Sequence, residues 1–120
     1  KGIFTALLSN PNLSDFSIWK KLSGIPFEND TISHIAALDG TIYYVHKNTL
    51  DASKDSIFRI KDGTADAFKT QSPNVTNVTS KNHQLFVSSY LSAAIYDSEE
   101  KLTHHYDKTR IRWRIIKSIY

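Results

Sequence analysis

The run Arg110-Ile-Arg-Trp-Arg-Ile115 carries the most concentrated chemistry in this sequence. On an extended strand, successive side chains alternate between faces. Arg110, Arg112 and Arg114 therefore share one side, while Ile111, Trp113 and Ile115 share the other. Three guanidinium groups about 7 Å apart make a cationic stripe suited to successive phosphates or carboxylates. Lipopolysaccharide and nucleic acid present such groups. The same alternation also describes an exposed strand whose apolar side seals a core, and both readings stay open. A second candidate contact is Tyr90. Of the aromatic residues Tyr43, Tyr44, Phe86, Tyr90 and Tyr96, which could stack on sugars or bases, it alone falls in a predicted loop; the others coincide with core positions.

The remaining residue types exclude more than they suggest. There is no cysteine, which removes disulfides, thiolate zinc sites and cysteine nucleophiles together. His34, His46, His83, His104 and His105 lack zinc-ligand spacing, and adjacent His104 and His105 point to opposite faces of a strand. Asp51-Ala-Ser-Lys-Asp55 lacks the alternating acids and the glycine of a calcium loop, and reads as a solvated loop tip. No serine sits in a nucleophile elbow, and four scattered glycines cannot cradle a phosphate. Glu99-Glu100 sits on a predicted turn open to water. The sequence therefore points to no catalytic residue, no metal site and no cofactor.

The net charge of +3 is local rather than global. Lys108, Arg110, Arg112, Arg114 and Lys117 supply it; the rest of the chain holds ten basic against twelve acidic residues. Five clustered cations beside an acidic body disfavour a nucleic-acid role. Nothing apolar approaches the ~20 residues needed to cross a bilayer, so no membrane span is expected. No signal peptide is visible, and a start at Lys1-Gly2 without methionine implies a processed chain or an excised fragment. Asn12, Asn29, Asn74 and Asn77 open glycosylation-type triplets, which arise freely in a chain this rich in Asn, Ser and Thr.

The elements that must position these residues are legible through a repeat. Ile32, Ile35, Asp39, Ile42 and Tyr43 reappear as Val75, Val78, Asn82, Leu85 and Phe86, each displaced by 43 residues. Ile57-Phe58 and Phe68 reappear as Ile95-Tyr96 and Tyr106, displaced by 38. Five extra residues are thus expected in the first unit, within the polar stretch His46 to Asp55. Ile3-Phe4 and Trp19 open the chain as a partial copy with five extra residues of their own, around Ser9 to Asp15. Ile116 and Ile119 restart the pattern.

Short strands at this period point to propeller blades. They are expected near 2–8, 16–21, 31–37, 41–46, 56–61, 64–69, 74–80, 84–89, 93–97, 102–107 and 110–119. The fold class is all-β: an incomplete β-propeller of repeated four-stranded antiparallel blades. It comprises a half blade (1–21), two blades (31–69 and 74–107) and the start of another (110–120). Asp39-Gly40 and Lys61-Asp62-Gly63 read as tight hairpin turns, and Ser98-Glu-Glu-Lys101 as a longer, looser one. Closure then requires further blades of the same polypeptide or self-association.

The order Ile3-Phe4, Trp19, Ile32 to Tyr44, Ile57 to Gly63 and Val75 to Tyr106 resembles propellers of Bacteroidota envelope proteins. It is most similar to the N-terminal propeller of PorZ-type surface proteins of the type IX secretion system, and nearly as similar to periplasmic propellers of hybrid two-component regulators. The resemblance implies a place in the bacterial cell envelope, periplasm or surface. It also implies docking to other envelope proteins and recognition of an anionic glycan or lipopolysaccharide. The expected function is that of a non-enzymatic binding module. The alternatives are a propeller enzyme, a lyase or hydrolase with its active site in other blades, or the sensor domain of a two-component regulator.

Overall fold

A computed structural model describes residues 1–47, 56–70, 75–90 and 92–107. Among them ten strands follow one another: β1 (Phe4–Thr5), β2 (Lys20–Lys21), β3 (Ile32–Leu38), β4 (Thr41–His46), β5 (Ser56–Lys61), β6 (Thr64–Ala67), β7 (Val75–Lys81), β8 (Gln84–Ser89), β9 (Ser92–Tyr96) and β10 (Leu102–Asp107). They form three antiparallel sheets, a pair β1-β2 and two four-stranded meanders, β3 to β6 and β7 to β10. The strand expected over 110–119 lies outside the described residues.

The tight hairpins follow from their turn residues. Asp39 (φ 47°) with Gly40 (φ 84°) and Asp62 (φ 51°) with Gly63 (φ 75°) hold two consecutive left-handed residues. That backbone matches the twist of the flanking strands. Asn82 (φ 52°) and His83 (φ 58°) make the same turn in β7–β8 without a glycine. The turn at 97–101 is longer, as expected, but it is not loose. The Asp97 carboxylate accepts the backbone N–H groups of Glu99 and Lys101, both at 2.9 Å.

The 43-residue displacement holds through the hydrogen-bond register. Ile35 pairs with Tyr44 and Val78 with Val87; Leu38 pairs with Thr41 and Lys81 with Gln84. Even an irregularity repeats, since both ladders bulge, between Ile32 and His34 and between Val75 and Asn77.

Three of the expected matches shift. Val45 pairs with Ile57, while Ser88, its counterpart, pairs with Ala93. Ala93-Ala94, rather than Ile95-Tyr96, therefore stands where Ile57-Phe58 stands. The separations are twelve and five residues, so the first unit carries seven extra rather than five. In the partial copy, the Leu22 N–H donates to Ile3 O at 2.7 Å, as the Phe68 N–H donates to Ile57 O at 2.9 Å. Leu22, not Trp19, takes the place of Phe68. The expected strand over 16–21 is half 3-10 turn (Phe16–Ile18), because the Asp15 carboxylate caps it by accepting the Ser17 N–H at 2.9 Å.

The sheet β3–β6 is apolar on both faces. Ala36, Leu38, Tyr43, Val45, Ile57 and Phe68 pack against Val75, Val78, Leu85, Val87, Ala94 and Tyr96 of the sheet β7–β10. Edge-to-face rings bridge that seam, Tyr43 to Phe68 at 5.4 Å and Phe68 to Tyr96 at 5.1 Å. On the other face Tyr44 and Phe58 pack with Ile3 and Ile25, joined by half-buried Leu22, Ile32, Ile60 and Ala65. The result is a stack of three layers with the β3–β6 sheet in the middle.

Candidate binding surface

Antiparallel meandering places the connections at two ends of the stack. One end carries the hairpin turns at 39–40, 62–63, 82–83 and 97–101. The other carries the segment 22–31 and the β8–β9 connection, where Tyr90 lies. Tyr90 is 61% exposed. Its chain path is held from beneath by buried Ser89 and Ser92, whose hydroxyls meet at 2.5 Å. Arg110, Arg112 and Arg114, with Trp113, lie outside the described residues, so the structure does not bring them together with Tyr90.

The histidines show what pattern reading missed. His46 ends β4 and is buried, its ring stacked on Phe27 at 3.8 Å and its Nε2 2.9 Å from Asp30 Oδ2. With the Tyr44 hydroxyl donating to Pro26 O at 3.1 Å, these contacts fasten segment 22–31 to the sheet. His83 Nδ1 lies 2.9 Å from Asp39 Oδ1, and the Ser80 hydroxyl donates to Ala37 O at 2.6 Å. Both contacts tie the turn end of one four-stranded sheet to the other. The only signal in the sequence was the 43-residue displacement itself, which makes Ala37 and Ser80 counterparts.

A third link crosses the same seam. Arg59 on β5 forms a paired contact with Asp66 on β6, Nε to Oδ1 at 2.8 Å and Nη2 to Oδ2 at 2.9 Å. Its Nη1 also donates to Glu100 Oε2 in the 97–101 turn. The guanidinium sits 5.9 Å from the Phe68 ring centroid. Hydrogen bonding to Arg59 holds the Asp66 carboxyl below its ordinary value, and the same bond raises Arg59 further.

These groups are positioned for cohesion rather than reaction. The His46–Asp30 and His83–Asp39 pairs resemble the orienting half of a hydrolytic triad. Among the described residues, however, no hydroxyl bonds the second nitrogen of either ring, so neither pair has a nucleophile to activate. Among the described residues no three His, Asp or Glu side chains converge as a metal site. The loop 51–55, weighed as a calcium site, lies outside them. No helix of the described residues is long and apolar enough to cross a membrane. A search of family models and of curated proteins returned no match to the chain.

Proposed function

We propose that this chain is a segment of a β-propeller that serves as a non-enzymatic binding module in the bacterial envelope. The observation that carries the reading is the common register of the two four-stranded sheets, displaced by 43 residues and including the bulge of each first strand. Face-to-face packing of consecutive meanders, each with its first strand nearest the other sheet, is what adjacent blades do. In that architecture ligands meet the connections at the two ends of the sheets, and here those connections carry Tyr90 and lead toward Arg110, Arg112 and Arg114.

The ligand class this reading favours is an anionic glycan such as lipopolysaccharide, with other envelope proteins as docking partners, in line with the PorZ-type resemblance. Binding of lipopolysaccharide or a heparin-like polymer is expected to weaken steeply with salt, because exposed charges are screened. Replacing Arg110, Arg112 and Arg114 together by serine is expected to abolish it while the melting temperature stays nearly constant. A variant that folds and binds like the native chain rules the stripe out as the site. One that unfolds makes the arginines structural.

A further inference from the structure

The loop joining β1 to β2 puts its largest apolar side chains in water. Leu8 is 92% exposed, Phe16 89% and Leu7 77%. This is not the exposure of an unfolded segment. The Asn10 N–H donates to Leu7 O, the Asp15 N–H to Asn12 O, the Asn12 N–H to Asn10 Oδ1, and the Trp19 indole to Leu13 O at 2.8 Å. The loop is shaped by its own hydrogen bonds into a knuckle that faces outward. It begins beyond the Thr5–Lys20 pair, past the end of the ladder, so strands added beside β1 would not run over its tip.

Charge separates this element from the rest. Residues 1–21 hold Lys1, Lys20 and Lys21 against Asp15, whereas residues 22–107 hold seven basic and eleven acidic side chains. Lys20 lines a cavity of about 500 Å³ together with Leu7 and Ile18. Among the described residues neither Lys20 nor Lys21 pairs with a carboxylate; Lys21 meets only the neutral Asn29 amide. A convex apolar tip over an uncompensated basic base, on an otherwise acidic body, is complementary to an anionic, deformable surface. A protein partner would need a pocket cut to the knuckle, whereas an acyl layer needs no shape at all.

We propose that the β1–β2 loop docks on an anionic lipid surface. Leu7, Leu8 and Phe16 enter the acyl boundary, and Lys20 and Lys21 face the headgroup phosphates. This is independent of whether the sheets belong to a ring and of the arginine stripe.

The test is sedimentation of the whole chain with vesicles of phosphatidylcholine alone, or of equal parts phosphatidylcholine and phosphatidylglycerol. The native chain is expected to bind only the anionic vesicles, and to release at ~1 M salt. Leu8→Ser with Phe16→Ser is expected to bind about tenfold or more weakly, since two large apolar side chains no longer insert. In a separate Leu8→Trp variant, indole emission is expected to move to shorter wavelength on anionic vesicles; an unshifted emission from bound protein overturns the proposal, whatever the double variant does. No binding, or equal binding to phosphatidylcholine alone, also overturns it. So does loss of binding in the arginine triple variant with the loop intact. Self-association without lipid that the Leu8→Ser, Phe16→Ser variant relieves would make the knuckle a protein contact instead, and would equally overturn the proposal.

Discussion

His34 sits half-buried on β3, and burial, with the charge of Lys47 beside it, holds its imidazole below the ordinary 6.5. The unfolded chain takes up this proton near 6.5 while the folded chain resists it, so acid favours unfolding. The stability in question is complete above that value and is lost as pH falls through it. The melting temperature is expected to drop between about pH 7 and pH 5, and to drop less in His34→Gln; parallel slopes would show that the proton is taken up elsewhere. Tyr44 is the opposite case, its phenol pushed up to about 12 by burial, so it remains a donor to Pro26 O at any ordinary pH. His83 shows a residue held by its surroundings. It occupies the left-handed position that glycine fills in the other two tight turns, a conformation costly to a residue with a Cβ, and it meets Asp39 across the seam.

At the scale of the strand, one device appears three times. The extra residue of each bulge is Ser33, Thr76 or Thr103, and its hydroxyl donates to a carbonyl of the neighbouring strand: Val45 O at 3.4 Å, Ser88 O at 3.2 Å and Ile95 O at 3.0 Å. A bulge interrupts the ladder, and a short hydroxyl side chain supplies the missing donor. Ser33→Ala, Thr76→Val and Thr103→Val are each expected to cost about 0.5–1.5 kcal/mol. Urea unfolding should show lower midpoints at constant slope, because the surface exposed on unfolding is unchanged. Native midpoints in all three would mean that the backbone alone holds the bulges.

Across the whole molecule, burial depends on which sheet has a neighbour. Ile35 and Val78 are counterparts in the repeat, yet Ile35 is 54% exposed and Val78 3%. Val78 faces the β3–β6 sheet, whereas Ile35 faces only the two-stranded layer and borders a cleft of about 280 Å³ with Phe4 and His34. In the sheet β7–β10, neither β7 nor β10 pairs with a further strand among the described residues. Such edges recruit other strands. The chain is therefore expected to associate in a concentration-dependent way, and light scattering that gives a single monomer mass at every concentration would contradict this.

The sequence by itself determined the strands, the tight turns and the 43-residue displacement, because alternation, turn residues and repetition are local properties. β4, β5, β8 and β10 stand where that pattern puts them. Tyr90 stands exposed where the turn signals put a loop. Only the tertiary structure decided the alignment of the third strands. A slip of two residues leaves every side chain on its original face, so alternation cannot distinguish Ile95 from Ala93 as the counterpart of Ile57. The same holds for Leu22 in place of Trp19, where a capped 3-10 turn consumed residues that the pattern counted as strand. The ties of Arg59 to Glu100, His83 to Asp39 and His46 to Asp30 were hidden for another reason. Each joins residues far apart in the chain, through side chains whose meeting depends on how the layers stack, and no spacing along one strand encodes that.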